Sequence, residues 1–246
     1  MSSSGSVSTD TIPLFRQAFA ATDPVSSLLH LLNDASNERS ICDLLFAYTD
    51  EIDENPYQAQ ALTSILLKLR HQPTPEIPRF SQGLRNLIYE ELGDRLFKRE
   101  PDVMVYGPKN EHLLDALIVG LSYQHDLAAG GDELAVLQEG LNAIRDGSEK
   151  SQVLVVGACI QLLMGGHVIL TEDVGTYRMT AEEITMKLKS RKRCVTDPQA
   201  IEVVDLAISH AESGLKQENN LEDVWSILFP RVDLNPLAND NKNKTS

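Results

Sequence analysis

Aromatic residues are scarce, at 5% of the chain with a single tryptophan. Such a composition suits packed aliphatic helices better than an aromatic-rich β-sandwich. Cysteine is also sparse: Cys42, Cys159 and Cys194 are far apart and odd in number, so they describe no disulfide framework. Cys42 and Cys159 stand in apolar runs and read as buried free thiols, which suits a reducing compartment. Positive charge is in the minority, with 22 Lys and Arg against 36 Asp and Glu and a formal charge of −14. A general nucleic-acid binder needs cations to replace phosphate counterions. The acidity therefore excludes an unspecific grip on nucleic acid or anionic membrane, and leaves room for one local basic patch.

Long apolar runs are missing too. The longest, Val153 to Met164, is broken by Gln161 and is too short to span a bilayer. Met1 to Asp10 is Ser-rich with no apolar core, so no secretory signal is read there. These features predict a cytoplasmic protein, with the nucleus as the alternative.

Motifs with a catalytic mechanism do not occur. There is no His-Glu-x-x-His and no Cys-x-x-Cys. Gly130-Gly131 and Gly165-Gly166 lack the strand and the Lys-Ser/Thr of a phosphate loop, and both read as helix stops, with continuation of the helix through His167 to Leu170 as the alternative at the second. His167 then falls at a helix end, where it could cap carbonyls. His112 and His125 would lie about 20 Å apart on one helix. Asp50, Glu51, Asp53 and Glu54 lack the spacing and glycine of a calcium loop and read as a solvated face, as do Glu90, Glu91 and Asp94. No catalytic residue, metal ligand or cofactor is assigned, and the chain is read as a non-enzyme.

What the chain does have is helical punctuation. Asp23-Pro24, Asn55-Pro56 and Asp197-Pro198 each pair an N-cap side chain with a proline that presets φ for the first turn. Amphipathic stretches follow these starts. One, near 38–53, carries Ile41, Leu44, Leu45, Tyr48 and Ile52 on a single stripe. Others are read near 12–21, 24–34, 56–71, 79–99, 111–129 (capped by Asn110), 132–146, 149–164, 180–192, 198–213 and 220–229. The stretch at 149–164 is apolar on most sides and reads as central. Val103 to Tyr106 and Val168 to Leu170 are strand-like but too short for a sheet. Trp225 and Phe229 belong to a terminal helix that caps the last pair.

Short connections predict antiparallel neighbours. The resulting fold class is all-α: an α–α superhelix of about five antiparallel hairpins, HEAT- or armadillo-like, at spacings of roughly 30–45 residues. A non-repetitive helical bundle is the alternative. The predicted organisation is a disordered tail at 1–10, one helical-repeat domain at 11–234, and a second disordered tail at 235–246.

The run Arg79-Phe80-Ser81-Gln82-Gly83-Leu84-Arg85-Asn86-Leu87-Ile88-Tyr89-Glu90-Glu91-Leu92 resembles a helix of the middle-domain family of eukaryotic initiation factor 4G. Pro56-Tyr57 through Leu66, Cys159 to Gly166, Met179 to Leu188 and Asp197 to Ala211 are similar to further helices of that family, in the same order. Leu62-Thr63 stands where Leu-Cys is usual. His210-Ala211 replaces the Arg…Trp signature. Together the likeness covers roughly residues 24 to 215. It implies an adapter that docks proteins, and RNA in some members, in translation or mRNA metabolism. The partners it implies are translation factors, an RNA helicase or poly(A)-binding protein. The resemblance transfers no contact residue.

The candidate binding residues come from charge alone. Lys187, Lys189, Arg191, Lys192 and Arg193 place five cations within seven positions of an acidic chain. They fit an electrostatic footprint for RNA phosphates or an acidic partner helix. They equally fit cations complementing a helix C-terminus.

Overall fold

The computed structural model describes residues 11–34, 38–73, 77–92, 95–96, 110–124, 149–169, 180–215 and 219–229. Among them it contains ten α-helices and no strand. They are α1 (Ile12–Phe19), α2 (Pro24–Asp34), α3 (Glu38–Glu54), α4 (Ala59–Arg70), α5 (Ile77–Arg85), α6 (Glu111–Gln124), α7 (Glu149–Ile169), α8 (Ala181–Arg191), α9 (Pro198–Glu212) and α10 (Leu221–Leu228). The helix read at 132–146, the strand-like Val103 to Tyr106, Gly130-Gly131 and both tails lie outside the described residues.

Helix starts follow local chemistry. Asp197 accepts from the Ala200 amide at 2.8 Å, and Asn110 from the Leu113 amide at 3.1 Å. Asp23 accepts from the Ser26 amide at 3.2 Å and its hydroxyl at 2.6 Å, and these bonds hold its carboxyl below the usual carboxylate range. Asn55 departs from expectation. Its side chain caps nothing, and Pro56 opens a 3₁₀ turn (Pro56–Gln58) that delays α4 to Ala59. The long helix read at 79–99 also divides, since α5 passes into a π-helical segment over Asn86–Leu92.

Three expectations are corrected. Gly165-Gly166 does not stop α7, which runs on to Ile169 and takes in Val168, so that pair is helical rather than strand-like. His167 falls in the last turn of the helix. Each glycine costs about 1 kcal/mol of helix propensity. Gly165 is buried in the packed centre, where tertiary contacts override propensity. Cys42, read as buried, is exposed, because it sits off the stripe that faces the core.

Packing is organised around α6 and α7. Residues 113–122 of α6 and 155–165 of α7 are all buried, so both helices are surrounded. They run parallel: Gly157 of α7 faces His112 and Ala116, and Gly120 of α6 faces Gln161 and Met164, further along both chains. The remaining helices are layered beside this pair. α1 lies against α3, α2 against α4, α3 against α5, α4 against α6, and α9 against α7. α1 is also parallel to α3. Thr11 donates to Asp43, and Arg16 bridges Glu51 at 2.5 Å and Glu54 at 2.6 Å, which raises the Arg16 pKa further.

The predicted stripe of α3 is buried in full, with Ile41, Leu44, Leu45, Tyr48 and Ile52 all facing inward. The Tyr48 hydroxyl lies 2.8 Å from that of Thr63, which itself donates to the Ala59 carbonyl at 2.7 Å, so Tyr48 is the donor in the pair. α10 folds back onto α7, α9 and the 56–58 turn, where the Tyr57 hydroxyl donates to the Phe229 carbonyl at 3.1 Å.

Candidate docking surface at the α8–α9 corner

The five cations occupy one corner, built by three local devices. The first is a capping box at Thr180. Its hydroxyl accepts from the Glu183 amide at 3.1 Å, and the Glu183 carboxylate accepts from the Thr180 amide at 2.9 Å. The Thr-x-x-Glu spacing was readable and marks the start of α8. The second device is orientation: α8 buries Ile184, Thr185 and Leu188, which turns Lys187 and Lys189 outward. The third is the connection. A 3₁₀ turn, Lys192–Cys194, buries Cys194, and Asp197 then caps α9.

Gln152 of α7 ties this corner to the core. Its side-chain oxygen accepts from the Thr196 amide at 2.9 Å, the Thr196 hydroxyl at 3.2 Å and the Asp197 amide at 3.1 Å. Gln152→Ala is expected to lower stability by about 1–2 kcal/mol, because three donors lose one acceptor. Gln152→Glu keeps the acceptor and should retain most of that stability. Urea unfolding of both variants checks this, and equal losses would show that the oxygen is not the anchor.

The cations do not act alike. Lys189 Nζ lies 2.6 Å from Glu212, and Lys192 Nζ lies 2.6 and 2.7 Å from the two oxygens of Asp205. These pairs make α8 and α9 antiparallel, since 189 meets 212 while 192 meets 205. They are solvent-exposed, and such pairs contribute about 0–1 kcal/mol each. Lys187 and Arg191 are half-exposed, and the Arg191 Nε is buried with no hydrogen-bond partner among the described residues. Arg193 is exposed and makes no ion pair among the described residues. The surface is therefore of mixed sign: cations on α8 stand beside carboxylates on α9.

Other candidates fall into different environments. Cys159 is fully buried, and burial pushes its thiol well above the ordinary value. The His112 ring packs toward Gly157, and burial pushes its pKa down to about 4, so it is neutral at physiological pH. His125 lies outside the described residues. Trp225 faces inward, fully buried with its ring 5.1 Å from that of Phe229. No group of three or more His, Cys, Asp or Glu that could hold a metal occurs among the described residues. No helix among them is long and apolar enough to cross a membrane.

No family model matches the chain, and comparison with curated proteins and with solved structures finds no significant match to either.

Proposed function

We propose that the chain is a non-catalytic adapter that docks a protein partner through the α8–α9 corner, in translation or mRNA metabolism. The pathway rests on the resemblance to the initiation factor 4G middle-domain family. The observation that carries the docking reading is the mixed-sign face. Lys189 and Lys192 are paired with Glu212 and Asp205 of α9, while Arg193, from the same run, is exposed and makes no ion pair among the described residues. A phosphate backbone is uniformly negative and is repelled by the α9 carboxylates. A protein surface can match both signs, which gives register as well as attraction. Direct RNA binding is therefore the weaker form of the proposal.

A HEAT-like superhelix is the architecture we favour for such a platform. Neighbours two apart in the chain, α1 with α3, α2 with α4 and α3 with α5, are what a two-layer stack of hairpins produces. The Tyr57–Phe229 bond and the all-round burial of α6 and α7 favour a closed, non-repetitive bundle instead. Either architecture presents the same corner.

Arg193→Glu is expected to weaken recovery of the partner while changing stability by no more than about 0.5 kcal/mol. Lys189→Glu/Lys192→Glu places like charges opposite Glu212 and Asp205, and should weaken both binding and folding. Affinity capture with the wild-type and the first variant, read by mass spectrometry, tests the proposal. Charge-dependent recovery of initiation factors, a helicase or poly(A)-binding protein supports it. Recovery of only vesicle-coat or cytoskeletal proteins moves the chain to a general helical scaffold in another pathway. RNA retention that tracks the same charges would replace the protein partner by RNA.

A further inference from the structure

Helix α3 has a second face that the fold leaves uncovered. It packs against α1, α4, α5 and α6 through its other sides. Its outer stripe runs Cys42, Phe46, Thr49 and Asp53, at i, i+4, i+7 and i+11, with Asp50 at the edge. Phe46 is 52% exposed, the most exposed large aromatic among the described residues. Cys42 and Asp53 are exposed, and Thr49 and Asp50 are half-exposed.

The C-terminal end of α3 is acidic on several sides. Four carboxylates, Asp50, Glu51, Asp53 and Glu54, close a helix whose C-terminal dipole disfavours anions. Arg16 is committed to Glu51 and Glu54, and Arg95 to Asp115 at 2.8 Å. Neither Asp50 nor Asp53 makes an ion pair among the described residues. Loss of water on its inner side, then the charges of Asp50 and Glu111, raise the Asp53 carboxyl against the pull of Arg95. Among the described residues, Asp50 and Asp53 are thus left without an ion-paired cation, with Arg95 acting on Asp53 only at longer range.

We propose that this stripe is a docking face for a helix of a protein partner that carries an arginine or lysine one turn from an aliphatic side chain. The cation lies over the ring of Phe46, where the negative face of the aromatic attracts it. Asp50 and Asp53 flank the charge, and the aliphatic side chain covers the apolar surface toward Cys42. Nucleic acid and anionic lipid carry the wrong sign for this face. The proposal is independent of the α8–α9 corner, which lies on other helices and has the opposite excess of charge.

The test is fluorescence anisotropy of a short labelled helical peptide of Ala, Leu and Arg, titrated with the full chain at low salt. A matched peptide with Glu in place of Arg is the control. The Arg peptide is expected to bind and the Glu peptide not to bind. Phe46→Ala should weaken binding roughly 2–5-fold. Phe46→Leu, which keeps apolar volume without the ring, should weaken it similarly. Asp50→Asn/Asp53→Asn should weaken it about 5-fold. Glu91→Gln/Glu202→Gln removes the same net charge elsewhere, at exposed positions, and should change affinity less than about 2-fold. Equal weakening by the two acidic pairs would reduce the interaction to general attraction by an acidic protein and overturn the proposal. Wild-type binding to neither peptide, or Phe46 variants that bind as wild-type, would overturn it as well. All the substituted side chains lie at least partly at the surface, so thermal melts should coincide with wild-type.

Discussion

Gly120→Val is expected to destabilise the fold by about 3 kcal/mol, at the upper end of what overpacking a core costs. A Cβ at Gly120 would lie 3.0 Å from the Gln161 Cα, 3.0 Å from the Met164 Cβ and 3.2 Å from the Gln161 carbonyl oxygen. Two of those three atoms belong to the backbone of α7, which cannot rotate out of the way. Relief requires the two central helices to separate, and both are buried on every side. Separation would open gaps along the whole interface. Replacing glycine by valine also recovers helix propensity of about 0.4 kcal/mol, which offsets little of the clash.

Gly157→Ala provides the contrast from the same interface. There the added Cβ would meet the ring of His112, at 3.0 and 3.1 Å, and the Ala116 side chain at 3.4 Å. A ring can turn where a backbone cannot, and the propensity gain is larger, about 1 kcal/mol for alanine. Gly157→Ala is therefore expected to cost less than about 1 kcal/mol. Urea titrations of the two variants measure the difference directly. A Gly120→Val protein with an unchanged midpoint would mean that α6 and α7 do not approach as closely as described.

Sequence periodicity reached some of these features and missed others for identifiable reasons. The stripe Ile41, Leu44, Leu45, Tyr48 and Ile52 was legible, because a helix with one buried face repeats its apolar residues every three or four positions. Cys42 was misread because it was judged by its neighbours in the chain rather than by its angle on the helix. The starts at Asp23, Asn110 and Asp197 were legible because capping bonds span only three residues. The α7 extension was legible only as an alternative, since Gly165-Gly166 reads locally as a stop and only tertiary packing overrides it. The basic cluster shows the same limit at the candidate site. Its five charges are adjacent in the chain, but Asp205 and Glu212 reach Lys192 and Lys189 only after α9 folds back. A local reading therefore saw a uniformly positive patch where the folded surface is of mixed sign. The pairing of Gly120 with Gln161 had no local signal at all.

Trp225→Ala is expected to cost about 3–5 kcal/mol, the range for truncating a large buried aromatic. The side chain is fully buried, and it packs its ring at 60° to that of Phe229. Phe229 in turn donates its amide to the Trp225 carbonyl at 2.9 Å and accepts the Tyr57 hydroxyl on its own carbonyl. Loss of the indole thus removes the support for the contact that joins α10 to the N-terminal half. The indole Nε1 has no hydrogen-bond partner among the described residues, and leaving such a donor unmade costs about 1–3 kcal/mol. Trp225→Phe discards that unsatisfied group while keeping a ring against Phe229, so its cost should be less than half that of Trp225→Ala. The chain has no other tryptophan, so wild-type fluorescence reports this site alone. Its urea midpoint should coincide with that of far-ultraviolet circular dichroism, because α10 is packed against α7 in the centre of the molecule. A fluorescence transition at clearly lower urea would show that α10 detaches while the rest stays folded. The loss in Trp225→Ala would then be confined to α10 and would leave the second, global midpoint unmoved.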